Sequence, residues 1–138
     1  MGFRYAEDGP VADLTIEAEG STLEEAFQNA ALAMFNAITP LEGIEEREEC
    51  SIEAEGDDMG ALLFNFLDEL LYVNDVDLLV FSGIEVEIDG LRLRARCCGE
   101  PFDLERHRQG IAVKAVTFHQ MRIEQRGGGW SIRVVLDT

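Results

Sequence analysis

Apolar residues recur with two different periods along this chain, and the switches between them outline its elements. Over residues 13–19 they alternate. Leu14, Ile16 and Ala18 lie on one side and Asp13, Thr15, Glu17 and Glu19 on the other, as in a half-buried strand. Gly20 turns the chain, Ser21 or Thr22 caps a helix, and Glu24 or Glu25 completes a capping box. Leu23, Ala26, Phe27, Ala30, Ala31, Met34 and Ile38 then form one apolar stripe at helical spacing, which Pro40 closes. An acidic connection leads into a second strand, about 46–55, and Gly56-Asp57-Asp58 turns and caps a second helix, about 59–73. Leu62, Leu63, Phe66, Leu67, Leu70 and Leu71 lie on that helix, and Asn74-Asp75 is expected to end it. Strand, glycine turn and capped helix thus occur twice, a weak internal echo.

Beyond the second helix the period falls to two. Strands are expected over 78–81, 84–88 and 91–98, the last two joined at Asp89-Gly90, a strong hairpin signal. A polar loop over 100–110 follows, then strands over 112–118, 121–125 and 130–136, with Gly127-Gly128-Gly129 as the final turn. Phe3 to Glu7 alternates as an edge strand, and Pro10 interrupts its ladder. The pattern predicts one α+β domain over residues 1–138: two amphipathic helices packed on a mostly antiparallel sheet of about seven strands.

Charge narrows the partners. The 28 acidic residues against 11 basic ones leave a net charge of −17, which repels a phosphate backbone. The late arginines, among them Arg92, Arg94, Arg96 and Arg133, are spaced by alternation rather than clustered, as on solvated strand faces. Direct nucleic-acid binding is therefore disfavoured, and a basic protein or a cation is favoured. No apolar run approaches a membrane span or a signal peptide, so a cytoplasmic location and no membrane are expected. The three cysteines, Cys50 and the adjacent Cys97 and Cys98, match no disulfide framework or zinc spacing and are expected to fill space.

No phosphate loop or nucleophile elbow is present, and two histidines give little scope for zinc or general-base chemistry. Carboxylates are plentiful, which makes oxygen-ligated calcium, magnesium or manganese the sensible metals. Asp13 and Asp137 each stand at a strand end, where they are either solvated side chains or parts of a site assembled from distant residues. Asp68 and Glu69 are expected on the solvent face of the second helix. On the strand expected over 112–118, Thr117 and the following His119 share one face, as a small polar pocket or a satisfied structural pair.

Several stretches are similar to one family. Ala12-Asp13, the run from Gly20 to Phe35, the run from Leu63 to Leu71, Gly99-Glu-Pro-Phe-Asp103, the run from Val113 to His119 and the final Val-Leu-Asp-Thr138 together resemble the archease signature, collinear over essentially the whole chain. The resemblance implies a small cytosolic accessory protein, not an enzyme. Such proteins promote guanylylation and multiple turnover of an RtcB-type RNA ligase in tRNA splicing and RNA repair. It also implies a divalent cation, most often calcium, on Asp13, Asp137 and Thr138, the last through its backbone or terminal carboxylate. Pro10 and Val11 stand where the family carries His and Thr, so the support those side chains give the metal Asp is absent. The alternatives are a general protein chaperone or modulator of RNA-modifying enzymes, and a metal-dependent hydrolase using Asp13, Asp137 and His119.

Overall fold

A computed structural model describes residues 2–9 and 13–138; Pro10, and with it the expected break in the ladder, lies outside the described residues. Eight strands form two antiparallel sheets. The first holds β1 (Phe3–Ala6), β2 (Leu14–Gly20), β8 (Gly129–Asp137) and β6 (Ala115–Val116) in that order, with β7 (Arg122–Arg126) also paired to β8. The second is β3 (Glu48–Glu55), β5 (Arg92–Pro101) and β4 (Leu79–Asp89), with β5 central. The helices are α1 (Leu23–Ile38) and α2 (Met59–Asp77). Each helix packs against strands of both sheets: α1 against β2, β8 and β4, and α2 against β3, β4, β5, β6 and β7. One cluster of buried side chains therefore spans both helices and both sheets, with Phe27 stacked on Phe66 and Phe35 edge-on to Phe81. Among the described residues no helix is long and apolar enough to cross a membrane.

The helix entries follow local chemistry. Thr22 caps α1 by accepting from the Glu25 N–H at 3.1 Å, while Glu25 accepts from the Ser21 N–H at 2.9 Å. Asp58 caps α2 through the Ala61 N–H at 2.8 Å. The internal echo is a shared docking device. Asn29 donates to the Glu19 carbonyl at 2.7 Å and Asn65 to the Glu55 carbonyl at 2.8 Å, ten residues back in each case. Each helix is thereby tied to the last residues of the strand that precedes it.

Several boundaries depart from the sequence pattern. The second helix runs on through Asn74-Asp75 to Asp77, because Asn74 bonds the Leu79 carbonyl at 2.9 Å beyond the helix end instead of breaking the last turn. Leu78, at φ 58°, terminates it. The strands expected over 78–81 and 84–88 are one strand, β4, with a bulge between Phe81 and Gly83. The extra residue, Ser82, shifts the alternation, and its hydroxyl bonds the Ile44 carbonyl. The strand expected over 112–118 shrinks to Ala115–Val116. The Gly110 and Ile111 N–H groups bond the Ile38 and Ala37 carbonyls at the end of α1, so the approach to this strand is anchored to the helix, and the Lys114 and Thr117 N–H groups on either side of β6 bond the β8 carbonyls of Asp137 and Val135. The β4–β5 turn is Gly90-Leu91, one residue later than the Asp89-Gly90 signal, and Gly127-Gly128, both left-handed, close the β7–β8 hairpin.

The β4 bulge lies directly over Gly99, where an added Cβ would stand 1.8 Å from the Val80 carbonyl oxygen. Backbone cannot swing aside as a side chain can. Gly99→Ala should destabilise the fold by about 3 kcal/mol in urea unfolding; an unchanged midpoint would show that the two strands separate freely there.

Candidate functional site

The pairing of β2 with β8 brings the two ends of the chain together. Leu14 lies opposite Leu136, so Asp13, directly before β2, and Asp137, the last residue of β8, occupy neighbouring strand ends. Both side chains are exposed. Ala115 of β6 flanks Asp137 on the other side, and the Lys114 N–H donates to the Asp137 carbonyl at 2.8 Å. The structure thus places Asp137 and Thr138 beside Asp13. Among the described residues no group of three or more His, Cys, Asp or Glu side chains is placed to hold a metal ion. What the site offers is an open, all-oxygen set of two carboxylates with Thr138.

Arg133 tethers the segments around this pair. The alternation of late arginines suggests a solvated strand-face residue, yet its side chain is only 8% exposed. It reaches Asp8 at 3.3 Å, Glu17 of β2 at 3.5 Å and the Gln120 side-chain oxygen at 3.0 Å. Thr15, on the expected polar face of β2, is buried as well. Gly9 packs directly on its hydroxyl, which has no hydrogen-bond partner among the described residues. Asp8 and Gly9 therefore lie over the outer face of the first sheet, Asp8 bonded to Arg133 of β8.

The Thr117–His119 pair is structural in part. The Thr117 hydroxyl donates to the Val135 carbonyl at 2.8 Å and accepts the His119 N–H at 3.3 Å. The His119 ring is exposed and makes no hydrogen bond or ion pair with the described residues. Cys50 lies opposite Cys97 across β3 and β5, and all three thiols are free. Burial, with the neighbouring Cys50 and Cys98 thiols, pushes Cys97 up to about 12, which leaves it protonated and a poor nucleophile. Asp68 and Glu69 are exposed on α2, as the helical period predicts.

A second polar constellation lies in the loop that the sequence marks only as polar. Glu100, at the end of β5, has a side chain 1% exposed. One carboxylate oxygen accepts the Glu45 N–H at 2.8 Å and His107 Nε2–H at 2.9 Å; the other is paired with Arg106, with Arg47 at 3.7 Å. The Asp103 N–H donates to His107 Nδ1 at 2.8 Å, so Nε2 carries the proton and donates to Glu100. Phe102 stacks on the imidazole. Burial alone would raise the Glu100 carboxyl, but the Glu45 N–H, His107 and Arg106 together hold it down at about 2. The available signal was a lone Glu within Gly99-Glu-Pro-Phe-Asp103, followed closely by Arg106-His107. This cluster locks the loop that continues into β6, beside Asp137.

Glu100→Gln should cost about 3 kcal/mol at neutral pH, since it leaves Arg106 and His107 facing a neutral amide. The folded carboxyl sits near 2 against an ordinary 4.5, so its contribution is complete above the ordinary value and fades as pH falls through the folded one. Urea unfolding of both chains should therefore converge as the pH is lowered from 5 towards about 2; a constant gap would contradict the assignment.

Known proteins match this chain over nearly all of its length. The sequence model of the Archease protein family matches residues 3–138. "Protein archease" of Pyrococcus furiosus is 45% identical over 131 residues, covering 91% of this chain and 92% of its own. "Protein archease-like" of Drosophila melanogaster is 38% identical, covering 99% of this chain and 90% of its own. The solution structure of Methanobacterium thermoautotrophicum protein 1598 superposes with a TM-score of 0.86 at 40% identity and 99% coverage of each chain. The fold also matches the crystal structure of an archease, possible chaperone, from Thermotoga maritima, with a TM-score of 0.64 at 18% identity. The sequence, the two-sheet fold and the coverage agree: the chain belongs to the archease family.

Proposed function

We propose that this protein is a non-enzymatic cytoplasmic activator of an RtcB-type RNA ligase, and that Asp13, Asp137 and Thr138 hold a divalent cation, calcium foremost, at the contact with it. The observation that carries this reading is the β2–β8 register, which sets two exposed carboxylates at adjacent strand ends in a chain of the archease family. Their donor chemistry fits a hard cation. Calcium takes about 6–8 oxygens, more than two carboxylates and one Thr residue supply, so the remaining positions would fall to water or to groups of the partner. Bound there, a cation would relieve the repulsion between the two carboxylates and fix the end of β8 against the loop before β2. The protein's own part is positional. Arg133 holds Asp8 and Glu17 of β2, the strand that Asp13 precedes, and the Glu100 cluster holds the loop that leads to β6 and Asp137.

A net charge of −17 suits a basic protein surface and not a competing RNA strand. The chaperone reading shares this surface; it differs in predicting many clients rather than one ligase. The hydrolase reading needs His119 at the cation, and the lack of any described contact for its ring gives that reading no support.

The test follows the guanylylated ligase intermediate with GTP under multiple turnover. Acceleration is expected at substoichiometric amounts of this protein, and no acceleration at any ratio would refute the ligase reading. Calorimetry with calcium tests the cation separately. Asp137→Ala should lose binding by about 10-fold or more while keeping the thermal midpoint; equal binding would remove the site.

A further inference from the structure

Helix α2 breaks three local rules at one end, and all three breaks lie on the surface. Its core contacts are already met by Leu62, Leu63, Phe66, Leu67, Leu70 and Leu71, all buried. Tyr72 and Val76, one turn apart on the opposite side, are nonetheless 59% and 57% exposed, and Leu78 just beyond them is 59% exposed. Leu78 also takes the left-handed conformation that a glycine would adopt more easily. The last turn carries Asp75 and Asp77 and no basic residue, although the negative end of a helix dipole disfavours carboxylates. Asp68 and Glu69 extend the acidic rim, and α2 contains no Lys or Arg anywhere. None of these four carboxylates is ion-paired with a described residue, whereas those flanking Arg96 on the second sheet are.

The outward apolar side chains fall in two groups on one line of the helix, separated by the exposed Asp68. Phe64, Asp68, Tyr72 and Val76 follow one another at four-residue spacing, a ridge of about 18 Å. At its far end the exposed Phe118 lies flat on Phe64, with ring centroids 4.3 Å apart. Phe118 follows β6 at the end of that strand away from Asp137, so the ridge is separate from the carboxylate pair.

We infer that the outer face of α2, from Phe118 and Phe64 to Leu78, is a docking surface for a cationic amphipathic segment of a partner protein. Its apolar side chains would cover Tyr72, Val76 and Leu78, and its Lys or Arg side chains would neutralise the acidic end of the helix. Charge complementarity selects this occupant. A nucleic acid or an anionic membrane would be repelled, and a second copy of this chain would bring the same negative surface. A single helix of about 12 residues, or an extended strand of about 6, spans the ridge. The assignment rests on the ligase reading above and places that partner on a face distinct from the carboxylate pair.

Calorimetry with the full chain and the purified RtcB-type ligase tests it. Tyr72→Ala with Val76→Ala should weaken binding about 30-fold without lowering the thermal midpoint of so exposed a pair. Leu78→Gly should separate docking from folding, raising the midpoint by relieving the left-handed leucine while still weakening binding. Raising the salt from about 50 to 500 mM should weaken the unmodified complex, and Leu91→Ala, on the hairpin turn of the second sheet, should change nothing. If the unmodified chain binds and the double variant binds equally, the docking surface is refuted and the ligase reading stands. If the unmodified chain does not bind the ligase, both fall. A dimer of this chain in sedimentation, lost in the double variant, would make the occupant a second copy and overturn the inference.

Discussion

Everything in this fold depends on the antiparallel pairing of β2 with β8. It joins residues 14–20 to 130–136, more than a hundred positions apart, and closes the first sheet around its central strand. Closing so long a loop costs chain entropy before any contact rewards it. The return comes from Ile16, Ala18, Ile132, Val134 and Leu136, all fully buried against the helices. The same pairing relates the two carboxylates, since Asp13 and Asp137 occupy neighbouring strand ends only because Leu14 pairs with Leu136.

Around that pairing, two buried charged groups act as fasteners. Arg133 and Glu100 are both almost inaccessible; Arg133 gathers groups from three stretches of chain and Glu100 from two. Arg133 takes its partners from the loop before β2, from β2 itself and from the turn after β6. Glu100 takes its partners from the segment after α1, from the loop beyond β5 and from the imidazole within that loop. Buried charges stabilise only when every lone pair is answered, and here they are answered by loops that would otherwise have little apolar surface to hold them. Asp8 and the loop from Glu100 to His107 are thus held by charge, while the helices and strands are held by apolar burial.

Much of this was legible because it is local. Caps, turns and alternation depend on residues within a few positions, so both helix starts, the glycine turns and most strands could be read directly. The repeat of strand, glycine and capped helix was visible only as a faint echo. The two Asn side chains that give it meaning bond to backbone carbonyls, which no side-chain pattern displays. The misplaced ends share another cause. Asn74 has a partner beyond its own helix, Ser82 is absorbed by a bulge, and the Gly110 and Ile111 N–H groups satisfy carbonyls of α1. In each case a tertiary partner outweighed a local preference.

The sequence by itself determined the α+β class, the two amphipathic helices, the antiparallel strands and, through its collinear motifs, the family. These rest on period, capping and turn chemistry, which are short-range. Only the tertiary structure decided that the strands divide into two sheets, that Asp13 stands beside Asp137, that Arg133 and Glu100 are buried, and that Tyr72, Val76 and Leu78 are left uncovered. The reason is physical. Which face of a strand or helix is buried depends on what the rest of the chain lays against it, and that is settled by contacts between residues far apart in sequence.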